Sequence, residues 1–221
     1  MRFVWALATT VLLAALLLIP IGSRVKALDA QGVEFAGWAD CISAPGARPA
    51  AAGLQASLAY SPGIQAMVDA VSPTLLVHHV CKLQDDDALA YCNELGTRYC
   101  LATAQLGEAA QYIYDQYTAL GLSVTYDAFV CWGRPMTNVV AELPGVGLGS
   151  EHTYVICAHY DSISSRDSDL MVIAPGADDN ASGSAAVLEA ARILSQHRFA
   201  RTVRFVNFAG EEIGLKGSAH Y

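Results

Sequence analysis

The chain has 221 residues, of which 53% are hydrophobic and 15% are charged, and its formal net charge at pH 7 is −8. This length suits one generous domain with appendages, and the apolar content excludes a disordered, solvating protein. The 13 lysines and arginines do not cluster along the sequence. We therefore expect neither a nucleic-acid partner nor a polybasic membrane patch.

Residues 1–27 have the pattern of an export segment. Positions 3–21 carry no charged side chain, and small residues around Ala27 predict a signal-peptidase site after that residue. The alternative is an uncleaved anchor, because residues 3–21 can cross a bilayer at about 1.5 Å per residue and because Arg24 and Lys26 are unusual beside a cleavage site. We expect a secreted or extracytoplasmic protein, attached to a membrane only if residues 3–21 are retained.

Six cysteines follow this segment, at positions 41, 81, 92, 100, 131 and 157. An even number behind an export segment is typical of disulfides in an oxidising compartment, and six cysteines allow 15 pairings. Cys92 and Cys100 are close enough in sequence to close a short loop. Cys157 lies in an apolar run and fits a buried free thiol equally well. The pairing therefore stays open.

The rest of the chain divides into a spacer and one domain. Residues 28–60 lack a hydrophobic period and contain Pro and Gly, which indicates a linker. Ordered structure is expected over 61–221, with lead-in helices in 61–100 and an α/β part in 101–221. Asp85 to Asp87 are expected to form a solvated turn, since adjacent carboxylates do not readily converge on one ion.

Three helices are predicted before the first strand. The Ser-Pro pairs at 61–62 and 72–73 each combine a capping serine with a proline suited to the first helical turn. Apolar residues recur at helical spacing over 106–120, and Gly121 then stands at the position that commonly ends a helix. All three helices are expected to be amphipathic.

Four segments rich in β-branched and aromatic residues are predicted strands, at 122–130, 137–143, 154–158 and 202–208. Segment 154–158 is almost entirely apolar, which predicts a strand covered on both faces. A helix over 182–196, capped by Ser182, separates the last two strands. Strands interleaved with helices predict an α/β domain with three layers and a mixed sheet.

Polar patches follow the predicted strands. His159 and Asp161 come directly after an apolar strand, where an imidazole can bind a metal ion and a carboxylate can orient it. Asp178 and Asp179 lie in a Gly-rich loop at a helix start. Taken singly, a surface turn explains the first patch, and carboxylates that complement a helix dipole explain the second.

Glu211 and Glu212 form a third patch after the last strand, flanked by glycines. In a tight turn successive side chains point to different sides, so one glutamate can face a metal ion and the other a substrate. All three patches lie at predicted carboxyl ends of strands, where open α/β sheets form their sites. One histidine and several acids suit a catalytic zinc site, with room for two Zn²⁺ ions about 3.5–4 Å apart.

Three strings carry a resemblance to a known family: Ala-His-Tyr-Asp-Ser at 158–162, Pro-Gly-Ala-Asp-Asp-Asn-Ala-Ser-Gly-Ser-Ala-Ala-Val at 175–187 and Asn-Phe-Ala-Gly-Glu-Glu-Ile-Gly-Leu-Lys-Gly-Ser at 207–218. They resemble the M28 family of zinc metallopeptidases, which includes secreted leucine-type aminopeptidases. The resemblance runs over 64–221 and includes Leu-Gly-Thr-Arg-Tyr at 95–99. It implies a zinc-exopeptidase (phosphorylase/hydrolase-like) fold.

The resemblance also implies roles for the polar residues. His159 would bind one zinc ion with Asp161 orienting it, Asp179 would bridge two ions, and Glu212 would bind the other. Glu211 would be the general base, which takes a proton from metal-activated water and returns it to the leaving amine. The implied activity is removal of N-terminal residues from peptides or proteins. The alternatives are a glutaminyl cyclase, which works with one zinc ion, and a non-catalytic receptor-like relative.

Two further ligands of the family, an Asp and a His, have no counterpart up to Tyr221. His220 follows Glu212 too closely to be the distal histidine and is expected on a helix surface. We therefore expect an N-terminal portion of the catalytic domain, truncated at its C-terminal side and inactive by itself.

Overall fold

The computed structural model describes residues 61–84, 97–148, 150–163 and 174–221. The predicted export segment, the linker and the Asp85–Asp87 turn lie outside the described residues. Within the described part of the chain, no helix combines the length and the apolar character needed to span a bilayer.

Two capped helices open the described structure, as predicted. Helix α1 is Pro62–Asp69 and helix α2 is Pro73–Leu83. Ser61 and Ser72 take the N-cap positions, and each hydroxyl accepts a backbone N–H from the first turn of its helix. The prolines occupy the first helical position, where a missing N–H leaves no hydrogen bond unmade.

Helix α3, Thr103–Ala119, supplies a large part of the core. One stripe of its surface is buried and consists of Leu106, Ala109, Ala110, Ile113 and Tyr117. The helix ends before Gly121, whose φ of 75° is the left-handed conformation that terminates helices. The predicted stripe and the predicted end are both confirmed.

The described strands form one four-stranded mixed sheet, with strand β1 at Ser123–Cys131, β2 at Arg134–Leu143, β3 at Thr153–His159 and β4 at Thr202–Phe208. The strand order is β1-β2-β4-β3. Strand β3 is parallel to β4, whereas the other two pairs are antiparallel. The predicted mixed α/β sheet is confirmed, and β4 has the predicted bounds.

Strand β2 begins earlier than the sequence indicates. It leaves β1 through a two-residue turn in which Trp132 and Gly133 have φ values of 50° and 72°, and it continues through Pro135. Pairing with β4 begins only at Val139, so Pro135 is bonded on one side alone. A proline is tolerated there because no second strand pairs at this position, so the N–H that proline lacks is not needed.

Helix α4, Ser182–Leu194, begins differently from the prediction. It follows a single wide turn of π-helical type at Ala177–Ala181. Ser182 is therefore not a cap, and its hydroxyl donates back to a carbonyl of that turn. The Oδ1 atom of Asn180 instead accepts the N–H of Gly183 at 2.8 Å, and this is the side-chain bond that supports the helix start.

Helices lie on both faces of the sheet. Val139 and Ala141 of β2 belong to the core that α3 and α4 cover. Asn138, which directly precedes Val139 in the strand, points to the opposite face and donates to the carbonyl of Gly217 at 2.9 Å. Gly217 lies in the short helix α5, Lys216–His220. These contacts make the three layers that the alternation of helices and strands predicts.

The predicted coverage of β3 on both faces is wrong for the described residues. Its inward side chains, Ile156 and Ala158, pack against the core, but Val155 is 42% exposed and Cys157 is exposed. These side chains are exposed because β3 is an edge strand of the described sheet and α4 covers only one of its faces. Cys157 is accordingly an exposed thiol and not a buried one.

The suggested loop between Cys92 and Cys100 is also wrong. Cys100 is a free thiol with a fully buried side chain, and Cys131 is a second buried free thiol. Burial raises the pKa of the Cys100 thiol to about 12, which keeps it protonated and unreactive. Cys81, at the end of α2, is disulfide-bonded.

Candidate metal centre

The pairing of β3 with β4 brings two of the three polar patches together. The strands are parallel, and His159 at the end of β3 lies opposite Phe208 at the end of β4. The pairing continues one step further, where the N–H of Tyr160 donates to the Phe208 carbonyl at 2.9 Å. The chain then turns through Glu211 and Glu212, which therefore reach the same edge of the sheet as His159.

His159, Asp179 and Glu212 form a metal-ligand trio, in which one potential ligand atom from each residue lies within 4.8 Å of the other two. The Nε2 atom of His159 is 3.0 Å from Oδ1 of Asp179 and 3.8 Å from Oε2 of Glu211. The His159 side chain is 11% exposed, whereas that of Asp179 is 77% exposed. The trio thus has a buried side and a side open to solvent.

Asp161 stands behind this trio and is fully buried. Its two carboxylate oxygens accept the backbone N–H groups of Glu211 and Glu212, both at 3.2 Å. The Nδ1 atom of His159 is 3.5 Å from the Asp161 carboxylate and 3.2 Å from the Asp161 carbonyl oxygen. With Nδ1 directed at Asp161, Nε2 is left to face Asp179.

The turn that carries Asp179 depends on a glycine. Gly176 has a φ of 50°, and a Cβ atom at this position would lie 2.5 Å from Cβ of Ser162 and 2.8 Å from the carbonyl oxygen of Asp179. The Gly176 carbonyl accepts the N–H of Ala181 at 2.9 Å and so closes the turn. Asp178, the neighbouring acid, is exposed and lies outside the trio.

Negative charge is concentrated at this edge of the sheet. Burial, and then the charges of Asp179 and Asp161, raise the pKa of Glu212 to about 6. Burial alone would lower the pKa of His159, but its hydrogen bond with Asp161 and the nearby carboxylates, including Glu211, outweigh burial and raise it. Carboxylates that repel one another and attract a proton to histidine form an arrangement that a bound cation stabilises.

A chain of buried hydrogen bonds fixes the backbone of His159, and the sequence analysis missed it. The hydroxyl of Ser184 donates to the His159 carbonyl at 2.9 Å, and Nδ2 of Asn207 donates to that hydroxyl at 3.1 Å. The Tyr117 hydroxyl donates to Oδ1 of Asn207 at 2.5 Å. The available signal was Asn207 itself, a polar side chain within the apolar strand β4.

The residues present fit a divalent cation. Imidazole nitrogens and carboxylate oxygens both bind zinc, and catalytic zinc sites use three protein ligands and leave a further position for water or substrate. The trio has this composition, with a second carboxylate, Glu211, close to the same imidazole. His159, Asp179 and Glu212 are therefore the residues that could hold the ion.

Known proteins are similar to this chain. Residues 138–221 match the model described as Peptidase family M28. A "Probable zinc metalloprotease" of Pyricularia oryzae is 38% identical over 145 residues, which cover 56% of this chain and 28% of that protein. A "Probable leucine aminopeptidase" of Trichophyton verrucosum is 32% identical over 177 residues, which cover 77% of this chain and 45% of that protein. The chain spans less than half the length of these relatives.

Two solved structures share the fold. The LapA aminopeptidase of Legionella pneumophila aligns with a TM-score of 0.54 at 20% identity, over 70% of this chain and 39% of its own. A glutaminyl cyclase of Fimbriiglobus ruber aligns with a TM-score of 0.52 at 20% identity, over 64% of this chain and 46% of its own. The region that matches the family model contains the whole metal-ligand trio. Residues 138–221 of this chain are therefore similar to peptidase family M28.

Proposed function

We propose that this protein is a zinc-dependent exopeptidase that removes N-terminal residues from peptides. The observation that carries the proposal is the metal-ligand trio, with Glu211 placed 3.8 Å from the imidazole of His159. The match of residues 138–221 to a peptidase family supports peptide-bond hydrolysis. Similarity to relatives named zinc metalloprotease and leucine aminopeptidase supports the metal and the exopeptidase class.

The residues of the site have different proposed roles. His159, Asp179 and Glu212 would hold zinc, which would supply polarisation of the peptide carbonyl and acidification of bound water. Glu211 accepts the proton of the attacking water and returns it to the leaving amine. Its side chain is 36% exposed, so it reaches the open side of the trio. Asp161 is a positioning residue. Its carboxylate accepts the N–H groups of Glu211 and Glu212 and faces the imidazole of His159.

Two zinc ions, with Asp179 as the bridge between them, are part of the proposal. The Asp179 carboxylate presents Oδ1 to His159 while its side chain remains 77% exposed, so Asp179 is the residue that would hold both ions. Carboxylate-bridged ions about 3.5–4 Å apart are an established arrangement for hydrolysis. Metal analysis of the full-length protein gives the stoichiometry directly.

A glutaminyl cyclase is the second candidate, because the cyclase structure aligns about as well as the aminopeptidase structure. The trio does not separate the two chemistries. A non-catalytic relative is disfavoured, since such a relative is expected to lose metal ligands, whereas each ligand that the resemblance places within this chain, His159, Asp179 and Glu212, is present.

The test uses the full-length protein, loaded with zinc and compared with a chelated sample. We expect release of nitroaniline from aminoacyl-p-nitroanilides, no release from N-acetylated substrates, and no cyclisation of peptides that begin with glutamine. Cyclisation without hydrolysis would favour the cyclase. Zinc binding with neither activity would favour the non-catalytic relative, and cleavage of N-acetylated peptides alone would contradict the exopeptidase assignment.

We also propose that the protein works outside the cytoplasm. The disulfide at Cys81 supports this location, because disulfides persist in oxidising compartments. N-terminal sequencing of protein recovered from culture medium and from membranes tests it. A mature chain that begins at Leu28 indicates cleavage, membrane-bound protein that retains residues 3–21 indicates an anchor, and recovery from the cytoplasm alone would overturn the proposal.

A further inference from the structure

Arg98 is fully buried beside the metal centre, and its guanidinium joins three separate segments of the chain. Its Nε atom donates to the carbonyl of Leu83 at the end of α2. Its Nη1 atom donates to the Tyr160 carbonyl at 2.5 Å, and Nη2 donates to the Gly176 carbonyl at 2.8 Å and to that of Pro175 at 3.3 Å. None of these acceptors lies in the same element as Arg98.

The acceptors flank two members of the metal-ligand trio. Tyr160 directly follows His159 at the end of β3, and Gly176 opens the turn that carries Asp179. The guanidinium is a rigid planar fork, so donors on its two arms hold their acceptors at a set separation. One side chain therefore spans from the backbone of the His159 segment to that of the Asp179 turn.

The backbone around Arg98 is itself fixed to the same edge of the sheet. Its carbonyl accepts the N–H of Ser162 at 2.9 Å, and the Ser162 carbonyl accepts the N–H of Cys100 at 3.0 Å. The turn fits closely against the guanidinium, because a Cβ atom on Gly176 would lie 2.7 Å from Nη2 of Arg98. The guanidinium has little freedom to move without moving the turn.

We propose that Arg98 is a positioning residue that sets the separation of His159 and Asp179 for metal binding. It contacts neither side chain directly and acts through the carbonyls of Tyr160 and Gly176. The 3.0 Å approach of His159 Nε2 to Asp179 Oδ1 is the distance it maintains. The inference rests on the proposed zinc site but adds a residue outside the ligand set.

Two substitutions separate the geometry of the guanidinium from its charge. Arg98→Lys keeps a buried cation but replaces the fork by a single ammonium, which cannot reach all the carbonyls together. Arg98→Met removes both charge and donors. The matched control is Glu189→Gln, which alters a buried carboxylate that accepts the N–H of Ser72 and two bonds from Arg192, away from the metal centre.

The readouts are the zinc Kd of the full-length protein, by competition with a chromophoric chelator, the visible spectrum of the Co²⁺-loaded protein, and thermal stability. We expect Arg98→Lys and Arg98→Met to weaken zinc binding about 10–100-fold, as loss of ligand-orienting groups does. We also expect an altered cobalt spectrum. Glu189→Gln should lower stability while leaving the zinc Kd and the cobalt spectrum unchanged.

Zinc affinity and a cobalt spectrum like those of the wild type in Arg98→Lys would overturn the proposal, as would equal losses in Glu189→Gln. If neither Arg98 variant folds, Gly176→Ala displaces the guanidinium from the turn with Arg98 retained, and unchanged zinc affinity there overturns it. A wild-type protein that binds no zinc would remove the proposed function as well. If the wild type binds zinc and the Arg98 variants bind it equally well, only the proposed role of Arg98 is overturned.

Discussion

The buried carboxylate of Asp161 accepts the backbone N–H of Glu212 at 3.2 Å. This bond joins the segment after β3 to the turn after β4, two regions that are far apart in the sequence. Because Asp161 also lies 3.5 Å from the imidazole of His159, one carboxylate supports two members of the metal-ligand trio. Both oxygens of this carboxylate accept backbone N–H groups, those of Glu211 and Glu212.

Asp161→Asn is expected to weaken both the fold and the metal site. The amide has one acceptor oxygen in place of two, so an N–H of Glu211 or Glu212 loses its partner, which costs about 1–3 kcal/mol of unfolding free energy. Zinc affinity should fall about 10–100-fold. Urea denaturation and chelator competition measure the two effects.

The matched control is Asp127→Asn. Asp127 accepts bonds from Asn138 and His220 on the other face of the sheet and does not contact the trio. It should lose some stability and keep its zinc affinity. An Asp161→Asn protein with unchanged zinc affinity would show that the carboxylate has no part in the metal site.

Glu211→Gln and Glu212→Gln are expected to fail in different ways. Glu212 belongs to the metal-ligand trio, so its substitution should reduce zinc content first. Glu211 is assigned as the acid–base group, so its substitution should keep zinc and lower turnover about 10²–10⁴-fold. Metal analysis of each purified variant, together with kcat, checks both expectations.

Glu151→Gln provides the control for these variants. Glu151 is exposed and contacts His152, away from the site, so neither zinc content nor kcat should change. Equal zinc loss in both site variants, or an active Glu211→Gln protein, would contradict the division of roles.

Acid is expected to destabilise the protein through His79. Burial, and then the charge of His78, lower the pKa of His79 to about 4 from an ordinary value of 6.5. Between pH 6.5 and pH 4, the unfolded chain therefore binds a proton at His79 that the folded protein does not bind. The free energy of unfolding falls progressively as the pH drops through this range. The lowering of this pKa from 6.5 to about 4 corresponds to about 3 kcal/mol of unfolding free energy, at about 1.36 kcal/mol per pH unit.

His79→Gln should flatten this acid limb, since glutamine does not titrate and can still bond the Tyr112 hydroxyl, which lies 2.7 Å from Nδ1. His197→Gln, at an exposed position, should leave the limb as it is. Urea unfolding between pH 4 and pH 7.5 gives the comparison. Identical pH profiles for wild type and His79→Gln would disprove the role of His79.

Gly217→Ala and Gly107→Ala are expected to have opposite effects, although both glycines are helical. A Cβ on Gly217 would lie 2.2 Å from the Ala209 carbonyl oxygen and 2.3 Å from Oδ1 of Asn138, so α5 must move off the sheet. Overpacking of this kind costs about 1–3 kcal/mol. A Cβ on Gly107 meets nothing within 4 Å, so alanine there should stabilise α3 by about 0.4–1 kcal/mol.

Thermal denaturation of the two variants under one set of conditions tests this pair. The Gly217 variant should also have lower activity, because α5 follows directly on the turn of Glu211 and Glu212. A Gly217→Ala protein as stable as the wild type would mean that α5 does not pack as described.

Local sequence signals were enough for the elements whose cause is local. The caps at Ser61 and Ser72, the buried stripe of α3 and the apolar run of β4 depend on residues within a few positions of one another, and each is found as predicted. The site residues His159, Asp179 and Glu212 were also chosen from motifs, and the parallel pairing of β3 with β4 makes their convergence possible.

Features that depend on residues far apart in the sequence had no local sequence signal. The wide turn before α4 depends on how Gly176 fits against Ser162 and Arg98, and within this turn Asn180, not Ser182, accepts a backbone N–H from the start of the helix. The exposed face of β3 follows from its place at the sheet edge and not from its apolar composition.

Arg98 shows the same division most clearly. Its sequence neighbourhood pointed to the family, but its function as a fork depends on carbonyls of Leu83, Tyr160 and Gly176, which are remote along the chain. By itself, the sequence determined the helices, the core strands and the kinds of side chain available to the site. Only the tertiary structure decided which of them meet, because long-range hydrogen bonds form once sheet register and helix packing have placed their partners.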